Sequence, residues 1–180
     1  MVLGTKLALS LAASASVIGT AALAAPVLEG GAKFSITLTG AAECHVINVC
    51  GVGDPNASGT ADITINPGQR RVCWEITTAG INPEYTFLGA HIHRAPSNAP
   101  GPIVVHLDAA LNDTDVGCAT LTSPTGVPIP RALLVEMIRS PQDFYVNIHY
   151  RDDDPSDGTL TNFAAGGLRG QLDKAPLKSN

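Results

Sequence analysis

Two alternating segments separated by a short turn constrain the fold of this chain more than any other feature. Residues 59–65 and 71–78 each place apolar side chains at every second position, which is typical of half-buried β-strands. The residues predicted to face inward are Ile63, Ile65, Val72, Trp74 and Ile76. Between the segments lies Asn66-Pro67-Gly68-Gln69, for which we predict a type II turn with a positive φ at Gly68. The two segments therefore predict an antiparallel hairpin.

Similar short segments recur along the chain between glycine- and proline-rich turns. The other predicted strands are 33–39, 86–94, 102–107, 117–122, 144–150 and 167–173. The apolar spacing of residues 128–139 predicts one helix, with Pro130 in its first turn and Pro141 ending it. Many short strands with a single helix indicate an all-β fold. We expect an antiparallel β-sandwich or barrel with Greek-key connections and one short helix.

The first 24 residues have the pattern of a secretory signal peptide. Lys6 supplies the positive charge, residues 7–23 are uncharged, and Ala22-Leu23-Ala24 is a small-residue cleavage motif. A retained membrane anchor is the weaker alternative, because the segment is rich in Ala and Ser. Residues 25–180 are then one domain with a core at about 32–173, and no later stretch is apolar enough to span a bilayer. We expect a protein that is secreted or held in the cell envelope.

Charge and cysteine content narrow the partners and the compartment. The formal net charge of −5 argues against nucleic acid. Four cysteines in an exported chain point first to disulfides, and they allow three pairings. Cys44 and Cys50 are close enough to close a small local loop, whereas Cys73 and Cys118 would join distant strands. A thiolate metal site is the alternative, but the spacing is not that of a zinc finger.

The histidines carry the chemistry. His91 and His93 alternate on one predicted strand, so their side chains share a face. His149, on another predicted strand, would complete a three-imidazole site, and His106 is a candidate fourth ligand. Imidazole is a ligand for copper and zinc. We expect a copper ion here, with zinc as the alternative. His45, between Cys44 and Cys50, is expected to face solvent.

Four motifs, in this order, resemble the CHRD domain, a module named after its repeats in chordin. They are Gly89-Ala90-His91-Ile92-His93, Gly101-Pro102-Ile103-Val104-Val105-His106-Leu107, Tyr145-Val146-Asn147-Ile148-His149 and Gly166-Gly167-Leu168-Arg169-Gly170-Gln171-Leu172. The resemblance covers about 32–173 and implies an extracellular all-β domain. Ala41-Ala42-Glu43-Cys44-His45 departs from the Ala-Gln-Glu-Val-Pro-like stretch that members usually carry after the first strand.

The order of the histidines, an acidic loop and Arg169 is also similar to Cu/Zn superoxide dismutase. That resemblance implies that His91, His93 and His149 are copper ligands, and that Arg169 is a catalytic residue guiding an anionic substrate. The zinc-binding loop of that enzyme is missing. A plainer role for Arg169 is an ion pair with the carboxylates of residues 152–157, which form a solvated acidic turn.

Three functions follow from these observations. The first is a secreted domain that binds a transition metal through its histidines, for metal sequestration, delivery or sensing. The second is a copper-only enzyme resembling superoxide dismutase. The third is a non-catalytic extracellular domain that binds a protein partner, its histidines being structural. No glycine elbow or phosphate-binding glycine loop is present, which argues against hydrolase and nucleotide chemistry.

Overall fold

A computed structural model describes residues 31–108, 112–151, 162–172 and 177–178. The predicted signal peptide and the acidic turn at 152–157 lie outside these residues. Alternating side chains in short segments produce a structure made mostly of strands. The strands are β1 (Ala32–Thr39), β2 (Cys44–Val46), β3 (Val49–Cys50), β4 (Ser58–Asn66), β5 (Arg71–Ala79), β6 (Thr86–Arg94), β7 (Ile103–Leu107), β8 (Thr114–Thr120), β9 (Phe144–Arg151), β10 (Asn162–Gln171) and β11 (Leu177–Lys178). The α-helix of the described residues is α1 (Arg131–Arg139), and 3-10 turns cover Gly40–Ala42 and Pro141–Asp143.

The main sheet is antiparallel and nearly closes into a barrel. Its strand order is β7-β6-β9-β10-β1-β4-β5-β8, with β11 added beside β1. The chain crosses from β5 to β6 and from β7 to β8 without pairing these consecutive strands, while β5 pairs with β8 and β6 with β9. These crossings are Greek-key connections, so the predicted fold class is confirmed. Strands β2 and β3 form a separate small hairpin.

The predicted hairpin is present, but its turn differs from the prediction. Strands β4 and β5 pair in register from Ser58↔Ala79 to Asn66↔Arg71. The residue with positive φ is Arg70, at 49°, rather than Gly68. The amide of Gln69 donates to Asn66 Oδ1 at 3.0 Å, and the loop has four residues between the paired strands. A loop of this length is most often built around a type I turn, so the positive φ falls at its last residue.

Element boundaries shift where the periodicity gives no clear start. Helix α1 begins at Arg131, after Pro130, and buries Leu133, Leu134 and Met137. Strand β8 covers Thr114–Thr120 instead of 117–122, and β10 begins at Asn162 rather than 167. Between Phe163 and Leu168 the pairing of β10 with β9 changes register. We call residues 164–167 the β10 bulge; such an insertion re-aims nearby groups.

One hydrophobic core fills the interior, and the inward residues predicted from alternation are all in it. Ile63, Ile65, Val72 and Ile76 are 0% exposed, and Trp74 is 3% exposed. Ala90 and Ile92 of β6, and Val146 and Ile148 of β9, also belong to this core. Alternation therefore puts His91, His93, Asn147 and His149 on the outward face of the sheet.

Both disulfides of the described residues join the cysteines that the sequence predicted as partners. Cys44–Cys50 closes the β2–β3 hairpin, and Cys73–Cys118 links β5 to β8, where the two residues are direct cross-strand neighbours. No cysteine is free, so the thiolate metal site is wrong. In the part of the chain that the structure describes, no helix has both the length and the apolar character needed to cross a membrane.

Candidate metal centre

Register and a glycine bring three histidines together on the outward face. In the pairing of β6 with β9, Gly89 lies opposite His149 and His91 lies opposite Asn147. A side chain at Gly89 would place its Cβ only 2.8 Å from the His91 ring. The bare Gly89 therefore leaves room for the His91 ring, whose centroid is 4.9 Å from that of His149. Diagonal neighbours on one sheet face are within reach of such rings.

We call His91, His93 and His149 the three-histidine cluster. One ring nitrogen of each lies within 4.8 Å of those of the others. The ring centroids of His91 and His93 are 5.5 Å apart, and those of His93 and His149 are 5.4 Å apart. The sequence predicted this grouping from the His-x-His alternation and the later strand histidine.

Backbone carbonyls fix the tautomers of two rings. His93 Nδ1 lies 2.9 Å from Gly101 O, and His149 Nδ1 lies 3.0 Å from Ala164 O. A carbonyl oxygen only accepts hydrogen bonds, so each Nδ1 carries the proton and each Nε2 presents a lone pair. The two Nε2 atoms are 3.3 Å apart. Two neutral rings in these tautomers place lone pairs face to face, an arrangement that a shared cation relieves.

His91 adds a third imidazole, and one of its ring nitrogens is unsatisfied. Its ring is half-buried, and its Nδ1 is buried without a hydrogen-bond partner. A buried polar atom left without a partner costs about 1–3 kcal/mol. A metal ion bound at this nitrogen would supply the missing partner, and three converging imidazoles fit an imidazole-binding metal. The carbonyls of Gly101 and Ala164 would then serve as outer partners that orient the other two ligands.

Burial keeps the cluster neutral. Desolvation lowers the pKa of His91 to about 3, with further lowering by the His149, His93 and His106 rings. Desolvation also lowers the pKa of His93 to about 4, against the opposing hydrogen bond to Gly101. The pKa of His149 is lowered mainly by burial as well. Neutral imidazole is the form that binds metals.

The other two histidines lie outside the cluster. His106 on β7 is the cross-strand neighbour of His91, with ring centroids 4.9 Å apart, but it is not among the three nitrogens that converge. His45 was expected to face solvent. It is half-buried instead, with Nε2 3.4 Å from Gly166 O, because the β2–β3 hairpin folds against the β10 bulge.

Arg169 is buried rather than open to an incoming anion. It is 1% exposed, and it donates to the carbonyls of Ala99 and Pro96 at 3.0 and 2.8 Å. Its Cζ lies 3.5 Å from the centre of the Tyr145 ring. A guide for a dissolved anion needs a guanidinium that the anion can reach, so this position does not suit that role. The predicted partners at 152–157 are outside the described residues.

Sequence reasoning missed a buried acid beside these groups. Glu43 is 1% exposed; its Oε1 accepts from the Cys44 amide, and its Oε2 has no partner. Burial raises the pKa of Glu43, while Arg169 and other neighbours oppose that shift. Asn147 is also 1% exposed, with an unpartnered Oδ1, and it sits in register between His91 and Arg169. The sequence feature that could have pointed to Glu43 was a single acidic residue among small residues. Such a residue is unusual in a protein interior, because Glu is seldom buried without a partner.

Comparison with known proteins identifies the family. A family model described as the CHRD domain matches residues 34–172. The chain belongs to the CHRD domain family. The match covers the strands that carry the three-histidine cluster and also includes Glu43, in the stretch where the sequence departs from the usual motif. A search of curated proteins and a search of solved structures found no significant match. CHRD membership and two disulfides are consistent with an extracellular location.

Proposed function

We propose that this CHRD protein is exported by its leader and binds one transition-metal ion through the three-histidine cluster. Copper is the first candidate and zinc the second, because Cu²⁺ ranks above Zn²⁺ in affinity for nitrogen ligands. The role would be metal sequestration, delivery or sensing outside the cytoplasm. The observation that carries the proposal is the pair of Nε2 atoms at 3.3 Å, each on a ring whose Nδ1 is committed to a carbonyl.

Metal titration of the leader-free protein tests this. The protein is produced in an oxidising compartment, stripped with a chelator and titrated with Cu²⁺ and, separately, Zn²⁺. We expect one equivalent of copper to bind, and we expect His91→Ala, His93→Ala and His149→Ala each to abolish stoichiometric binding. His45→Ala is the matched control, since it removes an imidazole outside the cluster. Stoichiometric binding that survives His149→Ala, or no binding by the wild type, would refute the proposal.

An enzyme is the second candidate, favoured by the number of ligands. Among the residues that the structure describes, three nitrogens converge and His106 lies outside the group, so a metal bound there would keep a fourth coordination position open. An open position is typical of catalytic metal sites. A copper-only dismutase would use that position. The buried guanidinium of Arg169 counts against it. If the copper-loaded protein removes superoxide no faster than buffer alone, its role would be storage or delivery.

The third candidate is a protein-interaction domain without a metal. Its support is the β2–β3 hairpin, where Val46, Ile47 and Val49 are 59%, 63% and 51% exposed. Exposed apolar groups gathered at one place are typical of contact surfaces. A protein isolated from its native compartment without copper or zinc, and unable to take up either, would favour this function.

A further inference from the structure

Arg169 is the largest fully buried side chain in the described chain, and its burial needs an explanation. A guanidinium removed from water is costly unless acceptors and neighbouring groups replace its hydration. Here the acceptors are backbone carbonyls of Pro96 and Ala99 together with Gln171 Oε1 at 3.3 Å. The partners lie mainly in one segment, residues 95–102, which we call the β6–β7 loop. Arg169 therefore fixes the path of that loop.

The β6–β7 loop in turn determines the orientation of His93. Gly101 in this loop accepts the hydrogen bond of His93 Nδ1 through its carbonyl and donates its own amide to Tyr145 Oη at 3.1 Å. The Tyr145 ring stacks on the His93 ring, with centroids 4.9 Å apart and planes 12° apart. Arg169 contacts the same tyrosine ring through its guanidinium. Two routes, the loop and the tyrosine ring, thus connect Arg169 to one imidazole.

Gln171 strengthens the loop anchor without touching a histidine. Its Nε2 donates to Ala95 O at 2.8 Å and to Gln142 O at 2.6 Å. It lies two residues from Arg169 on β10, so both side chains share the outward face. Strand β10 consequently holds the first half of the β6–β7 loop, with the Gln171 amide at Ala95 and the Arg169 guanidinium at Pro96 and Ala99.

We propose that Arg169 is a positioning residue, which holds the β6–β7 loop and the Tyr145 ring so that His93 presents Nε2 to His149. This role rests on the proposed metal site. Residues that orient a metal-ligating histidine affect affinity by 10–100-fold when they are changed. A residue that only stabilised the fold would alter unfolding and leave the geometry of the bound metal unchanged.

The test compares Arg169→Met, which keeps the apolar length and removes the donors, with Arg169→Lys, which keeps the charge but not the fork. Copper affinity is measured by chelator competition, and the Cu²⁺ geometry by electron paramagnetic resonance. We expect Arg169→Met to weaken binding by about 10–100-fold and to change the copper hyperfine coupling. Arg169→Lys should recover part of both. Arg94→Met is the control, because Arg94 forms a solvent-exposed ion pair with Glu136.

A second measurement separates this inference from the metal proposal. In the metal-free protein, nitrogen NMR of the imidazoles reports the tautomer of each ring. We expect a single Nδ1–H tautomer for His93 in the wild type and a mixture in Arg169→Met, with the His149 tautomer unchanged. Wild type that binds no copper refutes the metal site alone. A His93 tautomer and a copper spectrum unchanged by Arg169→Met overturn the positioning role. If Arg169→Met does not fold, Arg169→Lys decides by the same readouts.

Discussion

At the scale of single residues, the lowered pKa values of the cluster determine how it competes with protons. An exposed imidazole has a pKa near 6.5, so lowering the pH from 7 to 5 weakens metal binding by about 25-fold for each ring. The pKa is about 3 for His91 and about 4 for His93, and that of His149 is lowered. His91 and His93 therefore stay neutral at pH 5, and the lowered pKa of His149 makes its proton competition weaker than that of an exposed imidazole. Copper affinity should fall by less than about thirtyfold over this range.

Competition titrations at pH 7 and pH 5, against a chelator of known proton affinity, measure this change. A loss of a thousandfold or more would contradict the neutral cluster. The same pKa values act on the metal-free protein. As the pH falls, the histidines of its unfolded chain take up protons before those of the folded protein. The free energy of unfolding is therefore unaffected by these histidines above about pH 6.5 and decreases as the pH falls from there towards their folded-state pKa values.

The buried carboxyl of Glu43 gives a pH dependence of opposite sign. Its pKa is raised in the folded protein above the unfolded value of about 4.3. Its contribution to stability is therefore fully present at low pH and is lost as the pH rises through the folded pKa. Glu43→Gln removes this loss. Relative to wild type, the variant should gain stability between pH 4 and pH 7, by at most ~1.4 kcal/mol per pH unit.

Urea unfolding of the metal-free proteins gives the difference in free energy of unfolding between variant and wild type at pH 4 and at pH 7, and these two differences are compared. Glu84→Gln, the same substitution at an exposed position, is the matched control. A stability difference between Glu43→Gln and wild type that stays constant over this range would show that the Glu43 carboxyl does not titrate differently on folding.

At the scale of elements, the β10 bulge depends on a glycine. Gly166 has a φ of 137°, and a Cβ there would lie 2.4 Å from Glu43 Oε2 and 2.7 Å from Asn147 Nδ2. Both neighbours are buried, so neither can move into solvent. Gly166→Ala should lower the free energy of unfolding by about 2–5 kcal/mol, through backbone strain and overpacking.

Gly126→Ala separates these two contributions. Gly126 also has a positive φ, 82°, but no atom lies within 4 Å of the position of its Cβ. Strain alone should cost about 1–2 kcal/mol there. Denaturant unfolding of both variants measures the costs, and equal losses would show that crowding at Gly166 is unimportant.

The sequence predicts elements well where burial repeats and poorly where it does not. Strand β5 was predicted because Val72, Trp74 and Ile76 all face the core. Strand β8 starts earlier than predicted, because alternation is weak at its start, where Thr114 and Val116 are exposed. The first half of β10 was missed because the bulge interrupts its pairing. The type of the turn between β4 and β5 was also mispredicted, because its proline and glycine do not determine how many residues the loop contains.

The three-histidine cluster was predictable because it needs only side-chain alternation and two strands. Its surroundings were not, because they depend on register and loops. Nothing in the spacing of Gly101 or Ala164 shows that their carbonyls meet imidazoles. The burial of Arg169 and Glu43 likewise follows from segments that cover the outward face of the sheet. Such covering leaves no periodic pattern in the sequence.

At the scale of the whole molecule, the barrel ends at two edge strands, β7 and β8. Edge strands are hydrogen-bonded to the sheet on one side only. The disulfide Cys73–Cys118 ties β8 to β5, across 45 residues of chain. Cys44–Cys50 spans only six residues and closes the β2–β3 hairpin. The two bonds therefore constrain the unfolded chain by very different amounts.

Removing each bond as a pair of alanines should show this difference. In the chain-entropy model, loss of Cys73–Cys118 costs ~4 kcal/mol and loss of Cys44–Cys50 ~2 kcal/mol. Urea unfolding measures both costs, and its slope gives a second readout. The slope should increase more for Cys73→Ala/Cys118→Ala, because that unfolded chain expands further and exposes more surface. A larger loss from the hairpin variant would mean that native contacts of β2 and β3, and not loop length, govern the contribution of these bonds.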